Sequence, residues 1–140
     1  MKKIIVTGGT GYIGGHTTVS LIEQGYEVVI IDNLVNSTEN TLIGIENITG
    51  VRPAFHKVDL RNYEAVHKVL ETHQDAVAVI HFAALKAVGE SVKKPVLYYK
   101  NNMLALLNLL EAMQEFKINN IVFSSSATVY GDVHADVLPL

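Results

Sequence analysis

Three glycines near the amino terminus have a spacing that suits phosphate binding. Gly8, Gly11 and Gly14 lie in the stretch TGGTGYIG, which directly follows the apolar run 4–6 and opens a segment of helical period. Glycines in such a strand–turn–helix permit a tight turn, let backbone N–H groups approach a pyrophosphate and allow close packing of the helix on a sheet. The motif therefore predicts a dinucleotide site, although a purely structural turn would use the same glycines.

A carboxylate closes the next apolar run. Asp32 ends the β-branched run 27–32 and lies 18 residues beyond Gly14. A carboxylate at this place can accept hydrogen bonds from both hydroxyls of an adenosine ribose and repels a 2′-phosphate, so the sequence favours NAD over NADP. Asp32 could equally cap the loop that follows it. The polar residues of that loop could do either job: Asn33, Asn36 and Ser37.

The rest of the chain predicts the framework that positions these residues. Short apolar runs at 4–6, 27–32, 54–59, 76–83 and 120–126 predict five strands, and segments of helical period lie at 11–24, 38–48, 63–73 and 95–116. The run 27–32 is too continuously apolar for a half-exposed strand, which is typical of a parallel sheet covered on both faces. The alternation predicts a doubly wound α/β fold with right-handed crossovers, in one domain over residues 1–140 without a second domain. In the first helix, we expect Ile13, Thr17, Leu21 and Gln24 to share one side.

Composition narrows the function classes. Of the 140 residues, 49% are hydrophobic and 18% are charged, which is typical of a folded domain with a substantial core. The net charge is −3 and basic residues occur at most in pairs, so we expect no nucleic-acid or membrane partner. The chain has no cysteine, and its six histidines are scattered, so we expect no disulfide and no metal site. No apolar run approaches a membrane span or a signal peptide, and we expect a cytoplasmic protein.

Five stretches together carry a family resemblance. They are TGGTGYIGGH at 7–16, DNLVNS at 32–37, VIHFAALKAVGES at 79–91, PVLYYKNN at 95–102 and VFSSSATVYG at 122–131. The glycine spacing resembles that of the extended short-chain dehydrogenase/reductase superfamily. The other stretches resemble, in register over the whole chain, its UDP-galactose (UDP-glucose) 4-epimerase family. LKAVGES and SSSATVYGD are the specific parts, because related sugar-nucleotide dehydratases and decarboxylases differ there.

The resemblance implies a Rossmann-like fold with NAD as its cofactor and places contacts on the adenosine half. Tyr12 and Ile13 would lie beside the pyrophosphate, and residues 32–37 would surround the adenosine ribose. Asp59 and Leu60 would flank the adenine.

The resemblance also implies contacts nearer the reacting end. The middle of the cofactor would be lined by Phe82, Ala83, Ala84 and Lys86, with Asn101 approaching from the long helix. Many relatives carry glycine where this chain has Ala84. Ser126 would occupy the active-site serine position and bond the sugar hydroxyl. From the residues alone, Lys86 could be a solvated charge, and the serines at 124–126 could satisfy backbone groups at a strand end.

The reaction that the resemblance implies is the interconversion of UDP-galactose and UDP-glucose, part of galactose metabolism. In that reaction NAD takes a hydride from C4 of the sugar, the 4-keto sugar rotates within the site, and the hydride returns to its opposite face. The base in the superfamily is the tyrosine of a Tyr-x-x-x-Lys pair. None of the six tyrosines here has lysine four residues later, and Tyr130 lies in the VYG turn rather than in such a pair. We therefore expect the amino-terminal part of an epimerase, lacking later strands and the UDP-sugar domain, and inactive alone.

Two other functions stay open. The chain could be a non-catalytic NAD-binding module, which the missing tyrosine–lysine pair favours, or another NAD-dependent sugar-nucleotide dehydratase or reductase, which LKAVGES disfavours.

Relatives form homodimers through a four-helix bundle, to which the segment 95–116 would contribute. The apolar stripe of that segment is interpreted as core or dimer contact: Met103, Leu106, Leu107 and Leu110.

Overall fold

Strands and helices alternate along the chain in a parallel α/β sheet. The computed structural model describes residues 1–126, Val129 and Gly131. The elements are β1 (Lys3–Thr7), α1 (Tyr12–Glu23), β2 (Glu27–Asp32), α2 (Asn40–Thr49), β3 (Ala54–Lys57), α3 (Tyr63–Thr72), β4 (Ala76–His81), α4 (Val88–Lys93), α5 (Pro95–Glu115) and β5 (Ile121–Phe123). The described strands form one all-parallel sheet in the order β3-β2-β1-β4-β5. The predicted fold class is confirmed.

The strand order reverses at β1. The chain moves outward from β1 to β2 and β3, and then crosses to the other side of β1 to form β4 and β5. The connections after β1 and β4 therefore leave the carboxyl edge in opposite directions, which opens a crevice between them. Ligands of open α/β sheets bind at such a switch point.

Two apolar layers hold the sheet. The layer under α3 and α5 contains Ile5, Val29, Ile31, Leu70, Val79 and Leu109. The layer under α1 and α2 contains Ile4, Val6, Val28, Ile30, Leu42 and Ile45. Because side chains alternate along a strand, each central strand must be apolar at successive positions to fill both layers. Each buried aliphatic side chain contributes about 1.5–3 kcal/mol to folding.

The buried side of α1 consists of small residues. Gly14, Gly15 and Thr18 are the buried residues of this helix, whereas Ile13 is 51% exposed. A Cβ atom at Gly14 would overlap the carbonyl oxygen of Gly8, so the helix backbone itself packs against the glycine turn. Hydrophobic periodicity could not reveal this contact surface, because it is made mainly of glycine.

The long helix α5 exposes most of the apolar stripe that was interpreted as core or dimer contact. Its sheet-facing side carries Ala105, Leu109 and Ala112, while Met103 and Leu107 are 50% and 54% exposed. The core alternative for the stripe at positions 103–110 is therefore wrong for most of its length. Among the described residues, no helix is long and apolar enough to cross a membrane.

Candidate functional site

A groove opens at the carboxyl edge of β1, β2 and β4. It has a volume of about 380 Å³ and adjoins a smaller cavity, with which it shares Val35, Ala83 and Ala84. Twelve of the predicted cofactor residues line the groove: Gly8, Gly11, Tyr12, Ile13, Gly14, Asp32, Asn36, Ser37, Phe82, Ala83, Ala84 and Lys86. The other four line the smaller cavity: Asn33, Asp59, Leu60 and Asn101. The structure thus brings all sixteen together, and their binding roles stay predictions.

The glycine turn forms one wall of the groove. Gly8 has φ +70°, and a Cβ atom there would lie 2.8 Å from the backbone nitrogen of Ala83, so only glycine fits without displacement. The N–H group of Gly11 donates to the Gly8 carbonyl oxygen at 3.1 Å, which closes the turn. No side chain caps α1 at Gly11, and its first turn contains no acidic residue. The positive end of the helix dipole is therefore available to an anion.

The loop after β2 forms the neighbouring wall and is organised by Asp32. Its Oδ1 atom accepts the Leu34 N–H group at 2.9 Å, and its Oδ2 atom accepts the Thr10 N–H group at 3.2 Å. Leu34 has φ +61°, a left-handed conformation that costs a non-glycine residue about 1 kcal/mol or more. Asp32 therefore does cap its own loop, and it holds a strained backbone at the edge of the groove.

Asp59 lies at the smaller cavity with its charge already balanced. The Arg61 guanidinium hydrogen-bonds both carboxylate oxygens of Asp59, with Nη2 donating to Oδ2 at 2.6 Å and Nε donating to Oδ1 at 3.0 Å. These hydrogen bonds from the Arg61 guanidinium lower the pKa of the Asp59 carboxyl below its ordinary value. Asp59 is therefore an anion that can accept a further donor, such as an exocyclic amino group of a base.

The loop after β4 forms the opposite wall, and it is fixed from two sides. Asn102 of α5 accepts the Leu85 N–H group at 2.9 Å and donates to the Leu85 carbonyl oxygen at 3.1 Å. The Ala83 N–H group donates to Thr7 Oγ1 at 3.4 Å, while Thr7 Oγ1 contacts His81 Nδ1 at 2.7 Å. Burial lowers the pKa of His81 to about 4, so this imidazole is neutral at physiological pH.

Ser126, the predicted catalytic residue, does not line either cavity. It follows β5 on the same edge of the sheet and is exposed, and its carbonyl oxygen accepts the Val129 N–H group at 3.4 Å. Tyr130 lies outside the described residues. In residues 1–126, no group of three or more His, Cys, Asp or Glu side chains could hold a metal ion.

Sequence reasoning missed several residues that shape the site from behind. Thr7, Thr10, Arg61, His81 and Asn102 hold the lining residues without being predicted as site residues. Arg61 lies two residues after Asp59, a spacing that could have suggested the ion pair. The side-chain contacts of His81 and Asn102 join segments distant in sequence, and no local pattern reports them.

Comparison with known proteins places this arrangement in a family. The sequence profile of the NAD dependent epimerase/dehydratase family matches residues 4–139. The chain belongs to that family. Among curated relatives, "UDP-glucose 4-epimerase uge1" of Schizosaccharomyces pombe is 55% identical over 92% of this chain and 36% of its own length. "UDP-glucose 4-epimerase" of Klebsiella pneumoniae is 52% identical over 93% of both chains.

Solved structures of epimerase/dehydratase proteins superpose closely on this chain. UDP-glucose 4-epimerase from Stenotrophomonas maltophila, crystallised with bound NAD and formylated UDP-arabinopyranose, gives a TM-score of 0.91 at 44% identity. This superposition covers 100% of this chain and 41% of the Stenotrophomonas one. UDP-glucose 4-epimerase from Bifidobacterium longum, in complex with NAD⁺ and UDP, gives 0.89 at 44% identity, over 93% and 38% of the two chains. The resemblance to 4-epimerases is confirmed, and the chain spans about 36–41% of the length of most of these relatives.

Proposed function

We propose that this chain is the NAD-binding part of a UDP-glucose 4-epimerase. The observation that carries the proposal is the convergence of sixteen residues, chosen from the family resemblance, on the groove and its adjoining cavity. The Schizosaccharomyces pombe and Klebsiella pneumoniae relatives, which match most of this chain at 55% and 52% identity, are named UDP-glucose 4-epimerases, and this supports the same reaction class. We infer a cytoplasmic location, because a chain without cysteine fits a reducing compartment. From the proposed reaction we infer a role in galactose metabolism.

The groove suits an elongated dinucleotide in one orientation. The glycine turn and the amino terminus of α1 would hold the pyrophosphate, because N–H groups and the helix dipole both favour anions there. Asp32 would accept the adenosine ribose hydroxyls, and the paired Asp59 would face the adenine. The loop after β4, held by Asn102, would then line the nicotinamide half. Bound NAD would supply hydride acceptance and return at the sugar carbon.

Proton transfer in the proposed reaction needs groups that this sequence does not contain. No tyrosine of the chain is followed by lysine four residues later, and a hydroxyl with the ordinary high pKa of serine is a poor base near neutrality. Residues beyond these 140 would supply the base and the UDP-sugar contacts. The chain alone would bind NAD without epimerising UDP-galactose.

The second candidate function is a non-catalytic NAD-binding module. It is favoured by the missing tyrosine–lysine pair, and it shares the groove with the first. The two differ in what the groove can do once a substrate domain is attached.

A hybrid enzyme tests the proposal. Residues 1–126 of this chain replace the matching segment of the Stenotrophomonas maltophila epimerase, and conversion of UDP-galactose to UDP-glucose is measured beside NAD binding. We expect turnover by the hybrid, and loss of turnover with Gly11→Val, which places a branched side chain at the phosphate turn. Gly44→Ala in α2 is the matched control, because nothing lies within 4 Å of a Cβ atom at Gly44, its φ is not positive and it does not line the groove. A folded hybrid that binds NAD but does not convert UDP-galactose would contradict the epimerase proposal and support the non-catalytic NAD-binding module.

A further inference from the structure

Thr10 is buried behind the groove and connects three parts of its wall. The residue is only 2% exposed and does not line the groove itself. Its N–H group donates to Asp32 Oδ2 at 3.2 Å, and its carbonyl oxygen accepts the Thr41 hydroxyl at 2.9 Å. Its Oγ1 atom lies 2.6 Å from Ser37 Oγ, the shortest side-chain contact in this wall. Thr10 therefore joins the glycine turn, the loop after β2 and helix α2.

The two hydroxyls have a defined direction. Ser37 Oγ lies 3.4 Å from Asp32 Oδ1 and 2.6 Å from Thr10 Oγ1, where either hydroxyl could donate. Because a carboxylate is a stronger acceptor than a hydroxyl, we assign the Ser37 proton to Asp32, which makes Thr10 the donor to Ser37. The protons run from Thr10 to Ser37 and from Ser37 to the carboxylate, and such chains strengthen one another. A hydroxyl oxygen has two lone pairs, of which Thr10 uses one. Ser37 Oγ therefore keeps one acceptor position.

Asp32 keeps one position as well. A carboxylate offers about four acceptor positions. The N–H group of Leu34 and the Ser37 hydroxyl occupy those of Oδ1, and the Thr10 N–H group occupies one of Oδ2. Both Asp32 and Ser37 line the groove. The wall thus presents two neighbouring acceptors, Asp32 Oδ2 and Ser37 Oγ.

We propose that the buried Thr10 hydroxyl sets the preference for NAD over NADP by fixing Ser37 Oγ as a second acceptor beside Asp32. This inference rests on the proposed NAD site. The adenosine ribose of NAD offers two hydroxyl donors, which match two acceptors. A 2′-phosphate near neutrality offers mainly acceptor oxygens and negative charge, and it can satisfy neither position. Thr10 is a positioning residue, because its hydroxyl acts through Ser37 and the residue does not line the groove.

The test compares NAD and NADP affinities of the 140-residue chain by calorimetry. Thr10→Val keeps the bulk and removes the hydroxyl, and Thr10→Ser restores the hydroxyl. We expect Thr10→Val to weaken NAD binding about three- to tenfold, the value of one hydrogen bond, with NADP binding changed less than about twofold. Thr10→Ser should stay within about twofold of the wild type. Thr49→Val is the matched control, because its hydroxyl bonds the Ile45 carbonyl within α2, outside the groove.

A double-mutant cycle separates positioning from folding. If Thr10 works through Ser37, Thr10→Val should add less than about a twofold loss of NAD affinity in a Ser37→Ala background. Ser37→Ala by itself should also narrow the ratio of NAD to NADP affinity, and this variant carries the test if Thr10→Val does not fold. The inference would be overturned if Thr10→Val weakened NAD and NADP binding equally, or if Ser37→Ala left the ratio of NAD to NADP affinity unchanged. It would also be overturned if Thr10→Val caused its full loss of NAD affinity in the Ser37→Ala background. A wild-type chain that binds neither cofactor would overturn the proposed function, and the inference with it.

Discussion

Thr7 and His81 end two neighbouring strands, and Thr7 Oγ1 lies 2.7 Å from His81 Nδ1 in the interior of the protein. The same hydroxyl oxygen accepts the Ala83 N–H group at 3.4 Å. Thr7 is fully buried, so its hydroxyl proton needs an acceptor inside the protein. We assign His81 Nδ1 as that acceptor, and the ring proton of His81 then lies on Nε2. This pair links the end of β1, where the glycine turn begins, to the loop after β4. The two walls of the groove are therefore joined at Thr7, by its contact with the neutral His81 and by the N–H groups of Phe82 and Ala83 that donate to it.

Acid should therefore destabilise the folded chain through His81. Burial lowers its pKa from 6.5 to about 4, so between these values the unfolded chain binds a proton that the folded chain does not. Stability from this group is complete above about pH 6.5 and declines as the pH falls towards 4. The loss at pH 5 should be about 2 kcal/mol, measured as the free energy of unfolding in urea at pH 7 and pH 5.

The control for this prediction is His81→Asn. Asparagine keeps an acceptor near the Nδ1 position and does not titrate, so the difference between the two pH values should shrink by about 2 kcal/mol. Part of the dependence should remain, because burial also lowers the pKa values of His56 and His73. An unaltered pH dependence in His81→Asn would refute the assignment to His81.

Substitutions at Gly14 and Gly11 in the glycine turn should have different effects, the first on folding and the second on NAD binding. Gly14→Ala places a Cβ atom against the Gly8 carbonyl oxygen and 2.8 Å from Gly9 Cα, and it should cost about 3 kcal/mol of stability. Gly11 has φ −72° and its Cβ atom would meet only Gly8 O at 3.3 Å, so Gly11→Val should fold. Because the valine would occupy the groove, NAD affinity should fall by more than about tenfold. The measurements are thermal unfolding by circular dichroism and calorimetric titration, and a Gly11→Val chain that unfolds would assign this glycine to packing.

The exposed side of α5 should make the chain associate. Val96, Tyr99, Met103 and Leu107 recur at three- and four-residue spacing and are 65%, 73%, 50% and 54% exposed. Apolar patches of this kind mark contact surfaces or association sites. Light scattering should show a mass that rises with concentration, and Met103→Lys with Leu107→Lys should reduce it to that of the monomer. Gln74→Lys, which adds a positive charge in the exposed turn between α3 and β4, should have no such effect, and a wild-type chain that stays monomeric would exclude the association.

The parts of the fold that depend on local pattern could be predicted from the sequence. The bounds of β2 follow from a continuous apolar run, and Pro95 begins α5 as expected of a proline in a first helical turn. Helix α4 was not predicted, because it has only six residues, none of them buried, and its two valines make too short a pattern to indicate a helix. The residues behind the groove could not be predicted either. Thr10 and Ser37 meet across 27 positions and Thr7 and His81 across 74, so only the assembled sheet brings them together.

The measurement that tests the NAD site most directly is calorimetric titration of the chain with NAD and NADP, for the wild type and for Asp32→Ala. The wild type should bind NAD far more tightly than NADP, because in the proposed site Asp32 would accept the ribose hydroxyls and repel a 2′-phosphate. Asp32→Ala should lose about 1.5–3 kcal/mol of NAD binding, the value of a hydrogen bond to a charged group, and should bind NADP at least as tightly as the wild type, because the repulsion is removed. Equal affinities of the wild type for both cofactors, or an Asp32→Ala chain that binds NAD as tightly as the wild type, would contradict the site described for this groove.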